Sequence, residues 1–112
     1  MTQINQETRL KVLRRLEENP DITQRKLAVE LGISLGKTNY CLKALINRGL
    51  IEVKKFKNST NKRAYLYILT PKGIEAKAKL SIRFLQRKKE EYEALSQEIE
   101  QLKTELRRAG LE

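Results

Sequence analysis

The chain has 112 residues, with 24 basic against 14 acidic side chains and a formal net charge of +10. This length is sufficient for one domain with its own core and too short for two. The sequence contains no apolar run long enough to span a membrane, no secretory signal at its N-terminus and a single cysteine, Cys41. We therefore expect a cytoplasmic protein without an intramolecular disulfide.

Three helices are predicted in the first half of the chain. Leucines recur on one face of residues 7–19, and shorter segments at 24–31 and 35–48 combine helix-forming residues with apolar positions at helical spacing. The interval between the second and third segments is short and contains a glycine, which is typical of a helix-turn-helix. Residues that favour helix starts and ends stand at the borders: Pro20, Thr23, Gly32, Ser34 and Gly49.

A β-hairpin is predicted after the third helix. Residues 51–57 are rich in β-branched and basic side chains, and residues 64–69 read Ala-Tyr-Leu-Tyr-Ile-Leu. Residues 58–63 between them include turn-forming residues and no hydrophobic ones. The two outer segments therefore predict a pair of antiparallel strands.

The rest of the chain predicts one long helix. Thr70 and Pro71 favour a helix start, and no proline or glycine follows Gly73 until close to the C-terminus. We therefore predict a mainly α fold with a small β-hairpin (α+β), in which residues 1–73 form one domain and residues 74–112 form a C-terminal helix.

The positive charge is concentrated in the middle of the chain. Residues 21–73 carry 11 basic and 3 acidic side chains, whereas residues 74–112 carry 9 and 8. A concentrated cationic segment is typical of proteins that bind phosphate backbones, but basic side chains also keep small proteins soluble. The charge alone leaves both explanations open.

The third predicted helix has an apolar face that is expected to enter the core. At 100° of rotation per residue, its apolar side chains fall on one side of the helix. Cys41 lies at the border of this face, where we expect a small buried hydrophobic residue, because a reactive thiolate needs a cationic and partly open site. The expected core residues are Leu35, Thr38, Leu42, Leu45 and Ile46.

The opposite face of the same helix carries amides, lysines, a phenol and a glycine. An ordinary solvated face would mix glutamate with lysine, yet residues 34–51 contain no acidic side chain. Lysine and asparagine pair with guanine and adenine edges, tyrosine contacts phosphate or a thymine methyl, and glycine at a helix start admits a phosphate closely. We therefore interpret this segment as a recognition helix that contacts the DNA major groove through Gly36, Lys37, Asn39, Tyr40 and Lys43.

Part of the sequence resembles a known family of regulators. The segment ITQRKLAVELGISLGKTNYCLKALINRGLIEVKK, followed by NKRAYLYILTPKG, is similar to the MarR-type winged helix-turn-helix regulators over about residues 7–73. The resemblance implies sequence-specific regulation of transcription, with the third helix in the major groove and the hairpin as a wing. The short chain and its recognition helix also resemble a subgroup associated with exopolysaccharide gene clusters, which implies exopolysaccharide biosynthesis genes as targets.

The resemblance assigns further contacts to the wing. The family has Asp-x-Arg before the second strand, and here Arg63 matches the arginine while Asn61 replaces the aspartate. An arginine in the minor groove favours narrow A·T tracts. The expected wing residues are Asn61, Lys62 and Arg63.

Phosphate contacts are expected from both the third helix and the first strand, through Ser34, Asn47, Lys54, Lys55 and Lys57.

The last predicted helix carries an apolar stripe at heptad spacing. Its members are separated by 7, 3, 4, 3 and 4 residues, and Lys88 interrupts the seam. The stripe suits a short coiled coil between two copies, parallel or antiparallel, and packing on the chain's own first helix is the alternative. We expect a homodimer on an inverted repeat, held by the C-terminal helix, with residues 1–73 as the winged helix-turn-helix DNA-binding domain. The expected dimer interface is Leu85, Tyr92, Leu95, Ile99, Leu102 and Leu106.

Other classes of protein fit the sequence less well. It has no histidine, no glycine-rich phosphate loop and no cysteine or histidine pair at metal-ligand spacing, so we predict no enzyme, no cofactor and no metal site.

Two other binding functions are alternatives to DNA binding. A winged helix that docks onto proteins would show an exposed apolar patch and weak salt dependence. An RNA-binding protein would need several exposed aromatic side chains, and only Tyr40 is expected to point outward. The residues identify no small-molecule effector.

We predict that Arg63→Ala weakens binding to duplex DNA and reduces the preference for A·T-rich flanks, because the side chain that suits a narrow minor groove is lost. Gel-shift titrations of the variant and the wild-type chain on duplexes with A·T-rich and G·C-rich flanks measure both effects. Unchanged affinity and flank preference would remove this arginine from the mechanism.

Overall fold

The computed structural model describes residues 5–56 and 64–111, apart from the side chains of Phe56 and Ala64. The predicted architecture, mainly helical with a two-stranded hairpin and a long C-terminal helix, is confirmed. No helix within the described residues is both long and apolar enough to cross a membrane. In chain order the elements are α1 (Gln6–Glu18), α2 (Gln24–Leu31), α3 (Leu35–Asn47), β1 (Ile51–Phe56), β2 (Ala64–Leu69) and α4 (Pro71–Arg108).

Side-chain caps fix where each helix begins. The side chain of the residue before each helix accepts a hydrogen bond from a backbone N–H three residues later, a group that otherwise lacks a partner. The distances are 2.7 Å for Asn5, 3.1 Å for Thr23, 3.0 Å for Ser34 and 3.0 Å for Thr70. The last three confirm the predicted helix starts. Asn5 caps α1, which begins at Gln6, one residue before the predicted residue 7.

A left-handed glycine makes the turn between α2 and α3. Gly32 has a φ of +67°, a conformation that residues with a Cβ rarely adopt. The N–H of Ile33 donates to the carbonyl of Ala28 at 3.1 Å, and Ser34 then caps α3. Because this turn is so short, α2 and α3 form the predicted helix-turn-helix.

The core of the N-terminal part lies where the first three helices meet the hairpin. The predicted leucine face of α1 is buried, and β1 contributes its first residue. Thr38 is the polar member, and its Oγ1 donates to the backbone carbonyl of Ser34 at 2.9 Å. The largest fully buried side chains are Leu10, Val12, Leu13, Leu16, Leu27, Thr38, Cys41, Leu42, Leu45 and Ile51.

Two residues predicted for the core face of α3 are exposed instead. Leu35 is 42% exposed and Ile46 is 36% exposed. The buried positions run from Thr38 to Leu45 around Cys41, and at 100° per residue Leu35 and Ile46 lie at the edge of this arc. The buried face of α3 is therefore narrower than the face that its apolar residues predict.

The hairpin is tied to the end of α1 by its backbone. β1 and β2 pair antiparallel, from Ile51 opposite Leu69 to Phe56 opposite Ala64. The N–H of Tyr67 donates to the carbonyl of Pro20 at 2.9 Å. Since that proline directly follows the α1 C-cap residue, the bond holds β2 against the turn between α1 and α2.

The base of the hairpin joins the end of α3 to the start of α4. The N–H of Thr70 donates to the carbonyl of Leu50 at 3.0 Å, and the Thr70 hydroxyl donates to the carbonyl of Gly49 at 2.6 Å. A Cβ at Gly73 would lie 1.9 Å from the Leu50 carbonyl oxygen. The close approach of α4 to this turn therefore requires a glycine at position 73.

Contacts divide the chain into two units, Met1–Ser81 and Ile82–Glu112. In the first unit, Leu80 on α4 is buried, and Lys77 forms an ion pair with Glu17 of α1. The second unit consists of the rest of α4 and a short tail, and none of its described side chains is buried.

We predict that Gly73→Ala destabilises the fold by about 1–3 kcal/mol, the usual cost of forcing an extra carbon into a packed region. The added methyl would meet backbone atoms, which cannot rotate away as a flexible side chain would. Free energies of unfolding, taken from urea titrations followed by circular dichroism, measure the effect.

Gly36→Ala is the matched control for this substitution. It is also a glycine-to-alanine change in a helix, and nothing lies within 4 Å of the position its Cβ would occupy. The higher helix propensity of alanine predicts a gain of up to about 1 kcal/mol there. Equal stabilities of the two variants would contradict the close approach at Gly73.

Candidate nucleic-acid interface

The exposed side of α3 carries four polar or small residues in one row. Gly36, Tyr40, Lys43 and Asn47 recur every three or four residues, are all exposed and lie opposite the buried face of the helix. Nothing lies within 4 Å of the position that a Cβ at Gly36 would occupy, so the backbone at the start of α3 is open to close approach. We call these four residues the α3 surface.

Lys37 and Asn39 flank the α3 surface and are half-buried. The Asn39 Nδ2 donates to Gln24 Oε1 at 3.2 Å, and Gln24 Nε2 donates to the Tyr67 hydroxyl at 3.1 Å. Asn39 is therefore held by a side chain of α2. Sequence reasoning did not single out Gln24 or Tyr67, and the only local signal is that Gln24 directly follows the helix cap Thr23.

The start of α3 offers hydrogen-bond donors to an anion. Ser34 is exposed, and its Oγ accepts the N–H of Lys37 at 3.0 Å, which leaves its hydroxyl proton to be donated elsewhere. The N-terminus of a helix carries a partial positive charge, which favours a phosphate. Ser34 and the open backbone at Gly36 therefore lie together at the end of α3 that attracts anions.

The hairpin presents lysines on both of its faces. Lys54 and Lys55 lie on β1 opposite Leu66 and Tyr65 of β2, and both are exposed. Successive side chains of a strand point to opposite faces, so one lysine lies on each face of the hairpin. The other residues predicted to contact DNA in this region lie outside the described residues: Lys57, Asn61, Lys62 and Arg63.

The acidic side chains that form ion pairs within the described residues lie on α1, α2 and α4. Arg15 of α1 pairs with Glu18 and with Glu30, both at 3.2 Å, and further pairs lie within α1, within α4 and between these two helices. The lysines of α3, Lys37 and Lys43, make no ion pair within residues 5–56 and 64–111. Their charge is therefore not neutralised by described parts of the chain.

One side chain of α3, Cys41, and one near its C-terminal end, Arg9, have shifted pKa values. Burial raises the pKa of the Cys41 thiol, and the neighbouring Lys37 ammonium lowers it by a smaller amount. Burial and, to a lesser extent, the Arg48 guanidinium lower the pKa of Arg9. The Cys41 side chain is fully buried, which agrees with its predicted role as a small hydrophobic residue.

The predicted dimer-interface residues form an exposed apolar stripe in the second unit. Their exposed fractions range from 44% for Ile99 to 70% for Tyr92. At 100° per residue they lie within an arc of about 100° on one side of α4. Lys88 pairs with Glu91 at 3.2 Å and lies over the ring of Phe84. We call this set the α4 stripe: Leu85, Tyr92, Leu95, Ile99, Leu102 and Leu106.

Comparison with known proteins relates this geometry to DNA-binding regulators. Residues 6–52 match the winged helix-turn-helix DNA-binding family. No curated protein sequence gives a significant match. Three solved structures illustrate the likeness of the fold.

The PcaV transcriptional regulator from Streptomyces coelicolor is 22% identical, with a TM-score of 0.67 over 90% of this chain and 70% of that one. A MarR/EmrR family transcriptional regulator from Acinetobacter sp. ADP1 is 25% identical, with a TM-score of 0.62 over 91% of this chain and 73% of that one. The transcriptional repressor CouR, bound to a 23-mer DNA duplex, is 24% identical, with a TM-score of 0.64 over 96% of this chain and 75% of that one.

These findings agree with the resemblance read from the sequence. The family match spans α1, α2 and α3, and the structural neighbours cover most of the chain. Together they support a DNA-binding transcriptional regulator. The chain has a winged helix-turn-helix fold, residues 6–52 match the winged helix-turn-helix DNA-binding family, and its structural neighbours include MarR-family transcriptional regulators.

Proposed function

We propose that this protein is a sequence-specific regulator of transcription that binds double-stranded DNA as a homodimer. The observation that carries the proposal is the α3 surface, which is exposed, lies on the second helix of a helix-turn-helix and has no acidic neighbour in residues 34–51. A surface of this composition suits a polyanion, because its Lys43 and the flanking Lys37 have no ion-pair partner within the described residues.

In the proposed complex α3 lies in the major groove. Lys37 and Lys43 would contact guanine or phosphate, Asn39 would pair with adenine, and Tyr40 would contact phosphate or a thymine methyl. The absence of a side chain at Gly36 would let the helix backbone approach a phosphate. These contacts supply the sequence preference of the complex.

Contacts with phosphates would fix the orientation of the domain on the duplex. Ser34 and Asn47 lie at opposite ends of the exposed side of α3, so they would reach phosphates on either side of the groove. Lys54, Lys55 and Lys57 would add contacts from the hairpin. The wing residues Asn61, Lys62 and Arg63 would enter the adjacent minor groove, as the family resemblance implies. The DNA duplex bound by CouR, a structural neighbour, supports a duplex as the partner.

The α4 stripe supports self-association. Its six large apolar side chains are exposed along one side of a helix and follow a heptad spacing. In a parallel pair Glu98 would lie opposite Lys103 of the partner subunit, which is attractive. A homodimer would present two recognition helices to an inverted repeat, with half-sites separated by about one helical turn or a multiple of it.

The family resemblance also suggests target genes. We include exopolysaccharide biosynthesis genes in the proposal on that resemblance alone. Selecting duplexes from a random pool with the purified protein would define the operator. The position of that operator in the genome of the source organism would then test this assignment.

We predict that binding to a selected duplex weakens steeply with salt and that Lys43→Ala makes the dependence shallower. Each neutralised phosphate contributes about −0.9 to the slope of log K against log salt concentration, so losing one lysine contact reduces the slope by about that amount. Fluorescence-anisotropy titrations at several salt concentrations measure both slopes.

Lys79→Ala is the matched control for the salt experiment. Lys79 is an exposed lysine on α4 that pairs with Glu75 at 3.0 Å, so its loss is expected to leave the slope unchanged. A flat salt response of the wild-type chain, or a preference for single strands, would contradict duplex binding. A flat response would instead favour a winged helix that docks onto proteins.

We predict that the double substitution Leu95→Lys and Leu102→Lys gives a monomer that binds a single half-site weakly. Two buried charges in the seam would cost more than the apolar contacts they replace. Sedimentation equilibrium at micromolar concentration measures the mass. Ala94→Lys with Gln101→Lys is the control, because it adds the same charges seven residues apart on the other side of α4. A monomeric wild-type chain at this concentration would show that the homodimer proposal is wrong.

A further inference from the structure

We infer that Gln24 and Tyr67 are positioning residues for base recognition by Asn39, so that the hairpin and the recognition helix act on the same base contact. The inference rests on the proposed DNA binding. It concerns side chains from α2, β2 and α3, all within the first unit. Neither Gln24 nor Tyr67 is among the residues expected to contact DNA.

Two hydrogen bonds connect the three side chains in series. Asn39 Nδ2 donates to Gln24 Oε1 at 3.2 Å, and Gln24 Nε2 donates to the Tyr67 hydroxyl at 3.1 Å. Both bonds are partly buried, which shields them from competing water. Gln24 therefore uses its acceptor for the recognition helix and a donor for the hairpin. Its amide orientation is fixed at both ends.

Tyr67 provides a rigid end to this series. It is only 6% exposed, and its backbone N–H donates to the Pro20 carbonyl at 2.9 Å. Its ring stacks on Tyr65, with the ring centroids 6.5 Å apart and an interplanar angle of 29°. Because backbone and ring are both held, the Tyr67 hydroxyl is a fixed point for Gln24.

The bond to Gln24 leaves Asn39 with the groups that adenine requires. An asparagine amide has two N–H donors and one carbonyl acceptor. One donor is used by Gln24, so one donor and the acceptor remain for the N7 and N6 positions of an adenine. Rotation of the Asn39 amide by 180° would exchange the positions of its oxygen and its nitrogen, and it would also break the hydrogen bond to Gln24. The two hydrogen bonds therefore fix a single orientation of the Asn39 amide, as a bidentate contact with one base requires.

A merely structural role for Gln24 and Tyr67 predicts a different result. If the two bonds only stabilised the fold, their loss would lower the amount of active protein and leave the base preference of that protein unchanged. If they orient Asn39, their loss lowers the discrimination between bases at one position of the site. The ratio of two dissociation constants separates these roles, because the fraction of folded protein cancels in the ratio.

The experiment uses the full chain and the duplex that it selects from a random pool. Asn39→Ala first identifies the base pair whose preference depends on Asn39. The ratio of dissociation constants for A·T and G·C at that position is then measured for Tyr67→Phe and for Gln24→Met. We expect each to reduce the ratio by roughly two- to tenfold, the effect of one hydrogen bond.

Two further variants make the test specific. Tyr65→Phe removes a hydroxyl from the neighbouring, exposed tyrosine of the same strand and is expected to leave the ratio unchanged. Gln24→Glu keeps an acceptor for Asn39, and the Tyr67 hydroxyl can donate to the new carboxylate. We therefore expect it to retain the ratio while its negative charge lowers the overall affinity for DNA.

The outcomes separate this inference from the proposed function. A wild-type chain that selects no duplex overturns the proposed function and this inference with it. Sequence-specific binding in which Asn39→Ala changes no base preference, or in which Tyr67→Phe and Gln24→Met keep the wild-type ratio, overturns the inference alone. A reduced ratio in both variants, with the Tyr65→Phe control unchanged, supports it.

Discussion

The backbone carbonyl of Leu50 is the point at which α3, the hairpin and α4 are joined. It accepts the N–H of Thr70 at 3.0 Å and lies against Gly73, whose missing side chain makes the contact possible. Leu50 stands between the end of α3 and the start of β1, and Thr70 stands between β2 and α4. The position of α3 therefore depends on a backbone contact in which none of the side chains proposed to contact DNA bases takes part.

The fold holds its cationic surface against electrostatic repulsion. Surface ion pairs such as those of α1 and α4 contribute little to stability, so the packed core must supply most of it. Near α3, Lys37 and Lys43 lack such partners within the described residues, and Arg48 adds a smaller, electrostatic contribution to the lowered pKa of Arg9, which is due mainly to burial. A polyanionic partner would relieve this repulsion. The same charges that make the free surface costly would thus favour the proposed complex.

Features that depend on neighbours in the sequence were predictable, and features that depend on distant contacts were not. Ser34 signals a helix start because its own side chain makes the cap. The apolar period of α3 indicates which side of the helix faces the core but not how wide the buried face is, so it predicts that Leu35 and Ile46 are buried although both are exposed. The bond between Gln24 and Asn39 joins residues 15 apart through particular rotamers, which no local pattern encodes. The DNA contacts and the dimer interface stay predictions.

The second unit poses a physical problem that a second copy of the chain would solve. A single helix is marginally stable in water, and the α4 stripe leaves six large apolar side chains exposed. Fully burying a leucine side chain is worth about 1.5–3 kcal/mol, so mutual burial of two stripes would stabilise both helices. The charge balance of residues 74–112, 9 basic against 8 acidic, allows such an approach, whereas the excess of 11 against 3 in residues 21–73 opposes it. In the proposed homodimer, self-association and DNA binding would therefore fall to different segments, and two like-charged N-terminal parts could belong to one assembly.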